Sequence, residues 1–153
     1  MQTKSFKTPA VSLEAKFFVA LLRVADRLAQ DAEFLIKARG LTATQYNVLR
    51  ILRGAGPDGL PCKRIGDRMI SRDPDMTRLL DRMEKRGMIT RERQTDDRRV
   101  IKTRITMAGL EILKELDSPV DELHKTQFRH ISTTKLKALA DALEEAFPTA
   151  APE

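Results

Sequence analysis

Arg78 and Arg82 stand one helical turn apart, and Thr77 and Lys85 share their side of the same stretch. At about 100° per residue, Met76, Leu79, Leu80 and Met83 fall on the opposite side. A guanidinium on the outer face of an amphipathic helix suits bidentate contact with guanine O6 and N7, or clamping of a phosphate. Thr77 can donate to a phosphate or touch a thymine methyl. Asp75 fits beside phosphates only if it accepts from cytosine N4 or pairs with Arg72, because a lone carboxylate there is repelled. Further along, Asp97, Arg98 and Arg99 make a charged tip between two strand-like stretches. Arg99 is the candidate for a narrow minor groove, where negative potential concentrates, and Arg98 for a phosphate. Lys63, Arg64 and Arg72 are further phosphate candidates. For Arg78 and Arg82 the competing assignment is a solvated face with ion pairs to Asp75 and Asp81.

The charge distribution favours a polyanion. The 153 residues carry a formal charge of +6, from 28 Lys and Arg against 22 Asp and Glu. Residues 61–104 hold 14 basic and 8 acidic side chains, and the remaining residues hold 14 of each. All the excess lies in one central segment, as expected for a site that displaces counterions from phosphates.

Helices and a hairpin must position these groups. Residues 1–12 read as a flexible arm ending in an N-cap at Ser12, and residues 148–153 as a loose tail. From residue 13 to 39 the pattern is one helix of about 26 residues, roughly 39 Å long, ended by Gly40. Its apolar band is wider than one small core needs, so it either crosses the domain or packs on a second subunit. Thr42 and Gln45 form a capping box opening a helix with Tyr46, Val48, Leu49 and Leu52 inward. Residues 54–59 read as a loop, and a short helix follows over about 61–69. Asp73 then Pro74 signals a second start, as N-cap and N1, for a helix stopping at Gly87. Residues 88–94 and 100–106 alternate with a period of two, which predicts a hairpin. A helix over about 107–117 is expected to kink or break at Ser118-Pro119 and to resume to about His130. A last helix over 133–147 is expected to turn Leu136, Leu139, Leu143 and Phe147 inward.

Two short helices joined by a tight turn, the second with a basic outer face, and then a hairpin with a charged tip, outline a winged helix-turn-helix. Three stretches make the resemblance specific: Leu41 to Leu49, Leu79 to Arg91, and Asp97-Arg98-Arg99 followed by Ile105-Thr106-Met107-Ala108-Gly109. Together they resemble the MarR family of bacterial transcriptional regulators over about residues 13–147. The resemblance implies a mainly α fold with a small β-hairpin wing at 41–106, and long dimerisation helices at 13–40 and 107–147. It implies a homodimer bound to a pseudo-palindromic double-stranded DNA operator, a repressor on family grounds. Asp97 would hold the direction of Arg99 through the family's D-x-R wing signature. A small aromatic or anionic effector would enter a crevice lined by Phe17, Phe18, Leu21, Tyr46, His124 and Phe128.

Other chemistry is poorly supported. The sequence has no P-loop, dinucleotide-binding, zincin or nucleophile-elbow pattern, so an enzyme is not expected. No cofactor is expected, and His124 and His130 do not share a helix face, so neither is a metal. The family's thiol sensors carry their cysteine in the first helix. The single Cys62 instead begins the short helix and reads as a structural or merely surface cysteine. No stretch suits a membrane span or a secretion signal, so a cytoplasmic location is expected. Two alternatives stay open: a sequence-tolerant architectural DNA binder, and a winged-helix module that binds protein.

Overall fold

A computed structural model describes residues 11–71, 73–94 and 100–147. The expected arm, tail and wing tip, with Arg72, Asp97, Arg98 and Arg99, fall largely or wholly outside these residues. Helix α1 spans Leu13–Lys37, and Ser12 caps it by accepting from the Ala15 N–H at 3.1 Å. The chain leaves α1 through Gly40, at φ 71°, with Gly40 N–H donating to Lys37 O and Leu41 N–H to Ile36 O. This is a Schellman ending, and it buries Leu41 under the helix it has just left. Helix α2 spans Ala43–Ala55 with the expected capping box in place, both of its bonds 3.1 Å long. It also takes in the start of the expected loop, whose middle is a single 3-10 turn over Gly56–Asp58.

Helices α3 (Cys62–Arg68) and α4 (Met76–Lys85) follow, then strands β2 (Ile89–Arg93) and β3 (Ile101–Ile105). Between α2 and α3 lies a two-residue strand, β1 (Leu60–Pro61), which the sequence pattern does not reveal. It exists through pairing alone, Leu60 with Thr103 and Pro61 with Lys102, and gives an antiparallel sheet of order β1-β3-β2. The wing register sets Ile89 against Ile105, Arg91 against Thr103 and Arg93 against Ile101. The exit from α4 repeats the exit from α1. Gly87, at φ 70°, donates to Glu84 O, and Met88 N–H donates to Met83 O as Met88 is buried. One core joins the inner faces of α2, α3 and α4 to the sheet and to α5, centred on Leu49, Leu52, Ile65, Leu80, Met83 and Leu113.

Helix α5 runs unbroken over Met107–Phe128, with Pro119 inside it, so the expected break does not occur. Proline in a helix interior costs about 3 kcal/mol. Leu113, Leu116 and Val120 bracket Pro119 and are buried on the core, each worth about 1.5–3 kcal/mol when buried. The Arg53 guanidinium also grips the Asp117 carboxylate with both Nη atoms, at 2.8 and 2.9 Å. Packing on either side holds the helix through the proline, which lies on the exposed face. Helix α6 (Thr133–Ala146) buries none of its residues, and Leu139, Leu143 and Phe147 are exposed where an inward face was expected. The N-terminal half of α1 is equally bare, with Phe17, Phe18 and Leu22 each more than half exposed.

The wing and α5 meet at Gly109, where there is no room for a side chain. A Cβ there would lie 2.5 Å from Met88 O and 2.8 Å from Ile105 Cγ1. Met88 O already accepts from Thr106 N–H at 3.1 Å, so it has nowhere to retreat. Gly109→Ala is expected to cost about 3 kcal/mol by overpacking, lowering Tm by roughly 6–12 °C for a chain of this size. Thermal unfolding at fixed protein concentration checks this. An unchanged Tm would show that the joint yields without cost.

Candidate nucleic-acid interface

The exposed face is built on α4. Leu79, Leu80 and Met83 fix the helix to the core, and Met76 is half-buried. Thr77, Arg78, Arg82 and Lys85 are thereby turned to solvent, as their spacing predicts. Lys63 and Arg64 are exposed on α3, whose Ile65 is buried. The helix starts later than expected. Asp75 is the N-cap, and Asp73 instead accepts from the Asp75 N–H at 2.8 Å. Pro74 therefore lies before the helix. With two acceptors available, Asp73 closes the turn and Asp75 the helix.

Asp75 does not depend on cytosine or Arg72 for compensation. Its carboxylate caps α4 and pairs with Arg78 Nε at 3.2 Å. The solvated-face assignment thus holds for this one pair. It does not hold for Arg82, since Asp81 is turned toward the wing and Arg82 has no ion pair among the described residues.

Three residues that sequence reasoning missed hold this face in place. Asn47 Oδ1 accepts from Ile70 N–H at 2.9 Å, pinning the turn between α3 and α4 to α2. Its signal was a polar side chain between the buried Tyr46 and Val48. Arg91 on β2 bonds Glu84 Oε2 through Nε at 3.0 Å and Nη2 at 2.6 Å, and reaches Asp81 at 2.5 Å. The wing is thereby bolted to α4. The hydrogen bond that Arg91 donates to Glu84, and then the one it donates to Asp81, raise its pKa above the ordinary value. Arg86 donates from Nη2 to Gly40 O at 2.8 Å and from Nη1 to Gln45 Oε1 at 3.4 Å, tying the end of α4 to the joint between α1 and α2.

A single electrostatic pattern results. Asp73, Asp75, Asp81, Glu84 and Glu92 all have partners inside the winged unit, the last through Arg104 at 2.6 Å. Asp75, Asp81, Glu84 and Glu92 are paired with Arg78, Arg91 and Arg104, while Lys63, Arg82, Lys85 and Arg93 face solvent. The surface that remains is strongly cationic and suits a phosphate backbone.

The candidate effector residues occupy separate places in one chain. Tyr46 is buried in the winged core, with the Arg50 guanidinium 5.9 Å from its ring centre. Arg39 pairs with Glu115, and Gln127 Nε2 donates to Leu28 O and Asp31 Oδ2, so α1 and α5 run antiparallel. His124, whose Nδ1 lies 3.1 Å from Gln127 Oε1, and the half-buried Phe128 sit at this crossing. Phe17, Phe18 and Leu21 lie roughly 10–16 Å further up α1, beyond the end of α5. Cys62 begins α3 and packs partly buried against the core. No described helix is long and apolar enough to cross a membrane.

A helix-turn-helix with a sheet wing and exposed cations on the outer face of its second helix defines a winged-helix transcriptional regulator. The chain belongs to the MarR family. The family's sequence model matches residues 41–101. A MarR transcription factor from Planctomyces limnophilus is 36% identical, with a TM-score of 0.67 over 90% of this chain and 99% of that one. The HTH-type transcriptional repressor IacR of Pseudomonas putida is 28% identical over 85% of this chain and 77% of its own length. CouR from Rhodococcus jostii RHA1, solved bound to p-coumaroyl-CoA, shares the fold at a TM-score of 0.76 and 24% identity, over 92% of this chain and 99% of its own.

Proposed function

We propose that this regulator is a homodimeric, sequence-specific repressor that binds a pseudo-palindromic operator and leaves it when a small aromatic or anionic effector binds. The observation that carries this reading is the pairing of Asp81 and Glu84 with Arg91 of the wing, which leaves Arg82, Lys85 and Thr77 outward on one helix. A protein-binding module would present an apolar face there. Each subunit places α4 in a major groove, one per half-site, with Lys63 and Arg64 on flanking phosphates. Arg72, Arg98 and Arg99 extend the contact along the backbone and into the minor groove, with Asp97 orienting Arg99. The unpartnered apolar faces of α1 and α6 form the subunit interface together with the end of α5. The effector site is completed there, and only a second subunit can gather Phe17, Phe18 and Leu21 into an enclosed crevice with the rest. The p-coumaroyl-CoA held by CouR supports an aromatic, anionic effector class.

Selection of random duplexes by the purified protein tests the reading, with affinities read by fluorescence anisotropy at two salt concentrations. The expected result is enrichment of a palindrome bound by two chains, at least about a thousandfold tighter than unrelated duplex. Salt-sensitive binding without enrichment would replace the repressor by an architectural DNA binder. A protein that binds no duplex in the absence of added effector would sink the DNA-binding assignment.

A further inference from the structure

One carboxylate at the start of α4 makes two different bonds to the same residue. Asp75 Oδ1 accepts from the Arg78 N–H at 3.2 Å, and Oδ2 lies 3.2 Å from Arg78 Nε. Asp75 is itself held, because its N–H donates to Asp73 Oδ1 at 2.8 Å. A guanidinium offers two donor forks, Nε with one Nη and the Nη pair. With Nε engaged, the Nη pair is left to point outward, and the Arg78 side chain is 82% exposed. We propose that Asp75 is a positioning residue that makes Arg78 a reader of base edges instead of a phosphate clamp, and so sets part of the sequence preference of α4. The proposal rests on the reading that α4 enters a duplex groove.

The physical case turns on what an untethered arginine does near DNA. It swings to the nearest phosphate oxygen, a contact that adds affinity and carries no sequence information. A tethered one keeps its outer fork in one direction, where only a base with two acceptors at matching separation satisfies it. The pair also changes the long-range field. The Asp75 charge offsets the Arg78 charge, so Arg78 adds little to the general attraction for polyanions and acts through short-range geometry. Any negative charge left over lies at the N-terminus of α4, where the helix dipole favours it. An exposed pair at this spacing adds little to folding stability, so its effect falls on direction.

Asp75→Asn and Asp75→Ser separate the two bonds, since both keep a good N-cap acceptor and remove the charge. Each is compared with the parent on the duplex the parent selects and on an unrelated duplex, across a salt series. Both variants are expected to keep the parent's Tm. Both should bind unrelated duplex several-fold more tightly, with a salt slope steeper by about 0.9 per phosphate gained. The ratio of selected to unrelated affinity should fall about tenfold or more, equivalent to one weakened base contact. In an Arg78→Ala background Asp75→Asn should leave that ratio unchanged. An unchanged ratio and slope in the single variants would overturn the proposal, as would equal weakening on both duplexes, which a capping role alone would give. A parent with no preference between duplexes would instead overturn the repressor reading, and this proposal with it.

Discussion

Arg82→Ala should bind the selected duplex far more weakly than the parent while unfolding at the same temperature. The two halves of this expectation have separate causes. Arg82 is exposed and has no ion pair among the described residues, so its removal takes nothing from the folded chain. Alanine is also the best helix former, which leaves α4 intact. On DNA the loss is counted twice, because the proposed dimer presents two copies of α4. A guanidinium fork on a base is worth about 1–3 kcal/mol, so two half-sites lose about 2–6 kcal/mol. The dissociation constant should therefore rise roughly thirtyfold to ten-thousandfold. Fluorescence anisotropy on the selected and an unrelated duplex also gives the kind of contact. Proportional loss on both assigns Arg82 to phosphate, and loss on the selected duplex alone assigns it to a base. Binding like the parent's on both would remove Arg82 from the interface.

Local signals in the chain were good guides to local structure. The capping box of Thr42 and Gln45, the glycines at 40 and 87 and the two-residue alternation of the wing each depend on neighbours in sequence. Each appears where the pattern places it. Features that depend on distant partners were not legible. Strand β1 is two residues long and is defined only by Thr103 and Lys102. The continuity of α5 through Pro119 comes from core packing and the grip of Arg53. Asn47, Arg86 and Arg91 look like ordinary polar residues until the fold brings Ile70, Gly40 and Glu84 to them. The outer face of α4 was legible because its inner face is so regular, and helical periodicity assigns both at once.

The apolar stripes of α1 and α6 show a different limit. The same 3.6-residue period marks a face buried in its own core and a face buried against another subunit. Leu136, Leu139, Leu143 and Phe147 were expected inward, yet in one chain Leu136 is only half-buried and the other three are exposed. An uncovered apolar face of this kind is rare on a stable monomer.

Replacing both Leu139 and Leu143 by Asp should turn the protein into a monomer with a folded winged unit. These side chains lie one turn apart on α6, and at 47% and 39% exposure they contribute little to the core. Burying a carboxylate in an apolar interface without a partner costs several kcal/mol. A symmetric dimer meets each substitution twice. Sedimentation velocity should give the mass of one chain, against the two expected of the parent as the proposed dimer. Near-native helical content should persist, because the core of α2 to α5 makes no use of this face. Operator affinity should fall about a hundredfold to ten-thousandfold, since each half-site then binds without the effective concentration that linkage supplies. Lys137→Ala, on the opposite side of α6, where Lys137 pairs with Asp141, should change neither mass nor affinity. A double Asp variant that still sediments as two chains would place the subunit interface elsewhere. It would also leave the exposed half of α1 without the partner that its Phe17, Phe18 and Leu22 require.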